Sequence, residues 1–263
     1  MSDIRNKTTY DYDLFISNLN LWNLIVGGSD NGLGLLRNIV DGVHHDNYSC
    51  PDRRMPSILI TGDGHSLVLQ ALINSLQIMD IRECHSHYLD NGINSTCIFE
   101  DSHPDTVHCI THIECLSRVG ESVLWRYVRD GRCGYYNAIT RQYDKVIHCN
   151  GMIIMTSPSK TVSKYILNVV DHHIQLDPYQ PAQMKQFIQK ELEFCGISFR
   201  GKAILDELVN CNPLSVDVVM KILKTCMAIM KAELTENLTL KIVRKAKQYH
   251  SIPVKPSKDE IPF

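Results

Sequence analysis

With 263 residues, 44% of them hydrophobic and 21% charged, the chain can bury one large core or a large and a small one. Its net charge of −2 supplies no global basic field, so any contact with nucleic acid has to be local. No apolar run reaches the roughly 18 residues of a membrane span, and the polar start MSDIRNKTTYDYD lacks a signal core. Ten cysteines without a secretory segment then read as reduced, mostly buried thiols in a cytoplasmic protein.

Residues 1–20 read as an arm with Tyr10, Tyr12, Leu14 and Phe15 as docking points. A glycine-rich turn at 27–32 precedes LGLLRNIVDGV, whose apolar residues recur at helical spacing. Ile58–Ile60 reads as a buried strand, Gly62 and Gly64 punctuate a turn, and Leu67–Leu76 has helical periodicity. Further strands are expected at 80–87, 106–110, 151–155 and 173–176. Helices are expected at 117–128 and 160–170, with a tyrosine-rich hairpin over 130–150. Strands alternating with helices imply a parallel sheet covered on both faces. At Asp177-Pro178 the composition changes, and four helices are expected at 182–195, 202–211, 215–233 and 239–249, with Ser215 as an N-cap and Gly196 as a stop. Residues 251–263, SIPVKPSKDEIPF, read as a tail.

A strand, a glycine turn and a helix N-terminus form the phosphate cradle of P-loop proteins, where backbone N–H groups and a lysine meet the phosphates. Here the pattern GxxxxGK[ST] is missing. With Gly64-His65-Ser66 set in the place of Gly-Lys-Ser the helix register fits, but the loop is three residues short and histidine stands for lysine.

The stretch VHCITHIECLSRVGESVLWRYVRDG (107–131) and the later DPYQPAQMKQFIQKELEFCGISF (177–199), followed by the Asn212-Pro213 turn, carry a resemblance. Over about residues 21–250 the chain resembles the AAA+ ATPases, and among them the Holliday-junction branch-migration motors of the RuvB family. That resemblance implies an AAA+ P-loop-type parallel sheet with helices on both faces, then a small all-helical lid. The expected division is an arm (1–20), a large α/β domain (21–177), a helical lid (178–250) and a tail (251–263). The chain stops about where a RuvB winged-helix DNA-binding domain would start.

Against that family the catalytic parts are missing. The Walker B acids fall on Thr111 and His112; a neutral imidazole is a poor Mg²⁺ ligand because hard cations prefer oxygen. The sensor after the fourth strand falls on Ser157, next to Thr156. The arginine finger falls in the arginine-free run 166–170, and the lid arginine on Leu214. An arginine finger contributes about 10³–10⁵ in rate and a general base about 10²–10⁴, so no hydrolytic mechanism survives. Gly62, Gly64, His65, Ser66, Thr111, His112, Ser157 and Leu214 therefore mark a degenerate nucleotide site. No cofactor is expected, and ATP or ADP is expected to bind weakly or not at all.

Other residues carry competing readings. In the family the hairpin region touches the protein that holds the junction, so Tyr135, Tyr136, Ile139 and Tyr143 are candidates for a partner surface, against simple packing of the hairpin. Lys241, Arg244, Lys245 and Lys247 could touch phosphates from the last helix, against a solvated helix face. Cys109, His112 and Cys115 have metal-ligand spacing, with Cys84, His85 and His87 as a second group. Cys109 sits in a buried strand, where neighbours point to opposite faces, so convergence on zinc is awkward and no metal is expected. The same geometry argues against a His148–Cys149 dyad.

The expectation is a catalytically inactive RuvB-like AAA+ protein, a structural or regulatory subunit of a larger assembly. Its partners would be proteins (another AAA+ subunit or a second copy), with DNA contact weak or indirect and no membrane. A residual nucleotide switch in recombination or repair, and a DNA-binding accessory factor, are the alternatives.

Overall fold

The structure is a computed structural model, and it describes residues 55–69, 80–86, 89–90, 98–100, 102, 106–137, 139–140 and 142–250. The expectations for the arm, for the turn and helix before residue 51, and for the tail lie outside these residues. Within them, two compact units meet in sequence between Leu176 and Asp177.

The first unit is built on a five-stranded parallel sheet. Its strands are β1 (Ser57–Thr61), β2 (Asp80–His85), β3 (Thr106–Thr111), β6 (Met152–Ser157) and β7 (His172–Gln175), in the spatial order β2-β3-β6-β1-β7. Three of these segments, SILIT, TVHCIT and MIIMTS, are almost wholly buried. That is the signature of strands covered on both faces, as parallel sheets must be. Register runs Ser57 with Ile153, Val107 with Met152, and Asp80 with Thr106.

Helix α1 (Arg118–Asp130) packs Leu124, Tyr127 and Val128 against Leu59, Ile110, Ile153 and Met155. Its N-cap Ser117 accepts from Gly120 N–H, and the Asp90 carboxylate accepts from both the N–H and the hydroxyl of Ser117. Gly131, at φ 63°, closes the helix and leads into the antiparallel hairpin β4 (Arg132–Asn137) and β5 (Gln142–His148), which has a bulge at Tyr135/Tyr136.

The expectation for 160–170 is corrected. In place of a helix over 160–170 there is one turn, α2 (Lys164–Leu167). Ser159 accepts from Thr161 N–H and Ser163 from Tyr165 N–H, so serine hydroxyls hold the preceding backbone in turns. Such local bonds compete with helix formation.

The second unit holds α3 (Pro181–Phe194), α4 (Lys202–Val209), α5 (Val216–Ala232) and α6 (Leu240–Tyr249). Pro181 and a Gln180/Gln183 capping box start α3. Gly196, at φ 66°, follows that helix, and Ser215 caps α5 by accepting from Val218 N–H. The unit is not all-helical: β8 (Ser198–Phe199) and β9 (Asn237–Leu238) form a two-residue parallel pair. Strands that short carry no readable periodicity. No helix among the described residues is long and apolar enough to cross a membrane.

Candidate functional site

In open parallel sheets ligands bind beyond the carboxyl ends of the strands. Here that edge is formed by the ends of β1, β2, β3 and β6, and Gly62, Gly64, His65, Ser66, Thr111, His112 and Ser157 end or follow these strands.

The turn after β1 is held tightly. Gly62 has φ 101°, its N–H donates to the Ser157 carbonyl (3.0 Å), and a Cβ built on it would stand 2.3 Å from the Leu176 carbonyl oxygen. Only glycine fits there. Gly64, at φ 82°, turns the chain into a helix that starts at His65; the N–H groups of Leu67 and Val68 donate to the Gly64 carbonyl. The His65 N–H points back to the Gly62 carbonyl at 3.4 Å. The His65 ring does the same: its Nδ1 is 3.0 Å from that carbonyl, and the residue is only 4% exposed. A carbonyl only accepts, so Nδ1 carries the hydrogen in this contact. The short loop is thus closed on itself, and an imidazole fills its mouth.

Beyond β3 the chain makes an abrupt bend. His112 is left-handed (φ 59°, ψ 46°), unusual for a non-glycine residue. Its carbonyl accepts from Ser86 Oγ and from Cys115 N–H, which fixes the bend. Its ring stacks on His85 (centroids 4.8 Å apart, planes 18°) and meets His65 edge-on at 6.4 Å. Three histidines from three segments therefore share this edge. Thr111 makes only a long bond from its hydroxyl to the Cys84 carbonyl, at 3.4 Å.

Sequence reasoning missed a carboxylate here. Glu114 lies in the 3₁₀ turn Ile113–Cys115, 3.1 Å from His112 Nδ1. Partial burial pushes its pKa up, but the bonds from Ser157, its own N–H and His112 outweigh this and hold it below the usual carboxylate range. The Ser157 oxygen also accepts from Ser159 N–H. The readable signal was an acid within one turn of a buried strand's carboxyl end.

These groups do not converge as metal ligands. Stacked imidazoles direct their lone pairs in parallel planes, and among the described residues no set of three or more His, Cys, Asp or Glu is arranged to hold an ion. Cys109 is buried, and burial first, then the charges of Glu83 and Cys84, pushes its thiol up to about 12. His148 is exposed while Cys149 is buried, so the two face apart.

In the hairpin, Tyr135 pairs in register with Lys145 and Tyr136 with Tyr143, while the tyrosine side chains lie outside the described residues. Ile139, at the tip, is 93% exposed. In the run 166–170, Leu167, Val169 and Val170 pack on the core. Leu214 follows the cis Asn212-Pro213 bond and is half-buried.

The basic face of α6 needs correction. Lys247 is fully buried, and its ammonium donates to Glu207 Oε1 (2.8 Å), the Glu207 carbonyl (3.1 Å) and the Asn210 carbonyl (2.9 Å). All three hydrogens are used, so it has none for a phosphate. Arg244 lies 4.0 Å from the same carboxylate, and Lys245 bonds to Glu233 at 2.7 Å. Lys241 is left as an exposed residue of the four.

The overall fold reappears in solved structures. The Thermotoga maritima RuvB Holliday junction branch migration motor matches with a TM-score of 0.53 at 14% identity, over 81% of this chain and 68% of that one. The fold is RuvB-like AAA+. Two point mutants of the same Thermotoga protein match at TM-scores of 0.57 and 0.58, with 14% and 13% identity, over 92% and 94% of this chain and 70% and 74% of theirs. No protein-family model and no curated protein matches the chain. At such identities the likeness is one of RuvB-like architecture, and the site has to be read from its own residues.

Proposed function

We propose that this chain is a non-hydrolysing protein of the branch-migration AAA+ kind, acting as a structural or regulatory subunit of a larger, DNA-associated assembly. The observation that carries this is the His65 ring bonded to Gly62 in the mouth of the shortened loop. A phosphate cradle needs outward N–H groups and a cation. Here the N–H groups of Gly62, His65, Leu67 and Val68 are given to carbonyls of the protein itself. Thr111 brings no charge to Mg²⁺, and no arginine stands in run 166–170. The fold that remains is one whose relatives in structure include a DNA motor, and its use as a non-catalytic subunit fits both observations.

Calorimetric titration with ATP, with and without Mg²⁺, tests the proposal. Heat no different from dilution at high micromolar protein supports it; saturable micromolar binding sinks it. Glu114 favours the second reading, a residual nucleotide switch, because it places a carboxylate beside Ser157 on the ligand edge of the sheet. Under that reading Mg²⁺ raises ATP affinity and Glu114→Gln abolishes the increase.

A further inference from the structure

The outer side of α1 and the turn α2 carry a groove of about 600 Å³, lined by Arg118, Glu121, Ser122, Trp125 and Tyr165. Tyr165 is 70% exposed and Val119, on α1, 55%. Arg129 lies 3.7 Å over the Trp125 ring and braces it while its own guanidinium bonds to Asp130. Two aromatic walls with a gap between them, an acid and a base at the rim, form a surface that recognises extended proline-rich peptide. Proline rings fill the gap between aromatic side chains, and a polyproline II segment loses little entropy on binding.

The chain carries such a peptide. Residues 252–256, Ile-Pro-Val-Lys-Pro, have a P-x-x-P spacing with a lysine inside it, and Asp259 and Glu260 follow. The charges match the rim: Lys255 suits Glu121, and the acids suit Arg118. We infer that the Trp125–Tyr165 groove of one copy takes the Pro253–Pro256 segment of a second copy. Such a contact joins unlike surfaces, so it is heterologous and extends head to tail. It adds a self-association surface independent of any nucleotide.

Sedimentation of the full chain over a range of concentrations tests this. The expected result is concentration-dependent association that Tyr165→Ala and the double change Pro253→Ala/Pro256→Ala each weaken about tenfold or more, as truncating an aromatic anchor does. Because Tyr165 is exposed, its loss leaves the fold intact, which unfolding curves check. Glu121→Lys weakens association, and adding Lys255→Glu restores it, a coupling that a general loss of stability does not produce. A chain that stays monomeric, or one whose association ignores the tail and groove changes, overturns the inference.

Discussion

The Nδ1 of His65 donates to the carbonyl of Gly62 three residues before it, at 3.0 Å, and the ring is buried by that contact. Histidine here is a structural element of the turn, so replacing it with the P-loop's lysine does not rebuild a P-loop. The loop is still three residues short. His65→Lys is expected to give no measurable MgATP affinity by calorimetry. It also leaves the Gly62 carbonyl without its side-chain donor, at a cost of about 1–2 kcal/mol in denaturant unfolding. Micromolar binding by this variant would show that charge alone, not loop length, is what the site lacks.

Gly62 and Gly196 separate two costs of adding a methyl group. Both have positive φ, 101° and 66°. A Cβ at Gly62 meets the Leu176 carbonyl oxygen at 2.3 Å, whereas at Gly196 nothing lies within 4 Å. Gly196→Ala is expected to cost about 1–2 kcal/mol, the left-handed penalty alone. Gly62→Ala adds a clash with backbone and is expected to exceed it by at least about 1 kcal/mol. Urea unfolding of the two variants gives the ordering, and equal losses would refute the close approach of the turn to Leu176.

Lys247 and Glu207 form a buried pair, 0% and 5% exposed. Removing one partner strands the other charge. Lys247→Met is expected to destabilise the protein by about 3–5 kcal/mol. The double change Lys247→Met/Glu207→Leu is expected to recover much of that, since a buried pair replaced by apolar side chains is often near neutral. For the same reason Lys247 contributes nothing to phosphate contact: Lys241→Ala shifts any DNA affinity and its salt slope, and a Lys247 variant that still folds does not.

The sheet was legible because parallel strands announce themselves by unbroken apolar runs, and Ile58–Ile60, Val107–Ile110 and Met152–Met155 are such runs. The caps at Ser215 and Gly196 were legible because capping chemistry is local. The site was only half legible. The residues at the positions the resemblance points to can be read from the sequence, but what surrounds them depends on contacts between distant segments, such as the stacking of His112 on His85. The Lys247 error has a local cause. It sits four residues after Val243, on the apolar stripe with Ile242 and Ala246, and periodicity alone would have placed it inside.

Glu114 gives the site a pH dependence whose sign is fixed. Its pKa in the folded protein lies below the usual carboxylate range, despite the burial that opposes the shift, because Ser157, its own N–H and His112 favour the charged form. A depressed carboxylate binds fewer protons folded than unfolded, so it stabilises the fold above the unfolded value and that contribution fades as pH falls through the folded one. Stability measured from pH 6 down to pH 3 is therefore expected to decline in part through this group. Ser157→Ala removes a hydroxyl that favours the charged form, so the Glu114 pKa rises and the acid-side slope becomes shallower. Carbon-detected NMR of the Glu114 carboxyl reads this directly. The Thr111→Ala variant serves as control, since the Thr111 hydroxyl bonds to the Cys84 carbonyl and not to Glu114. A Glu114 titration that is unmoved by Ser157→Ala would remove the link between the two strand ends and, with it, the structural basis for reading Glu114 as part of the same site.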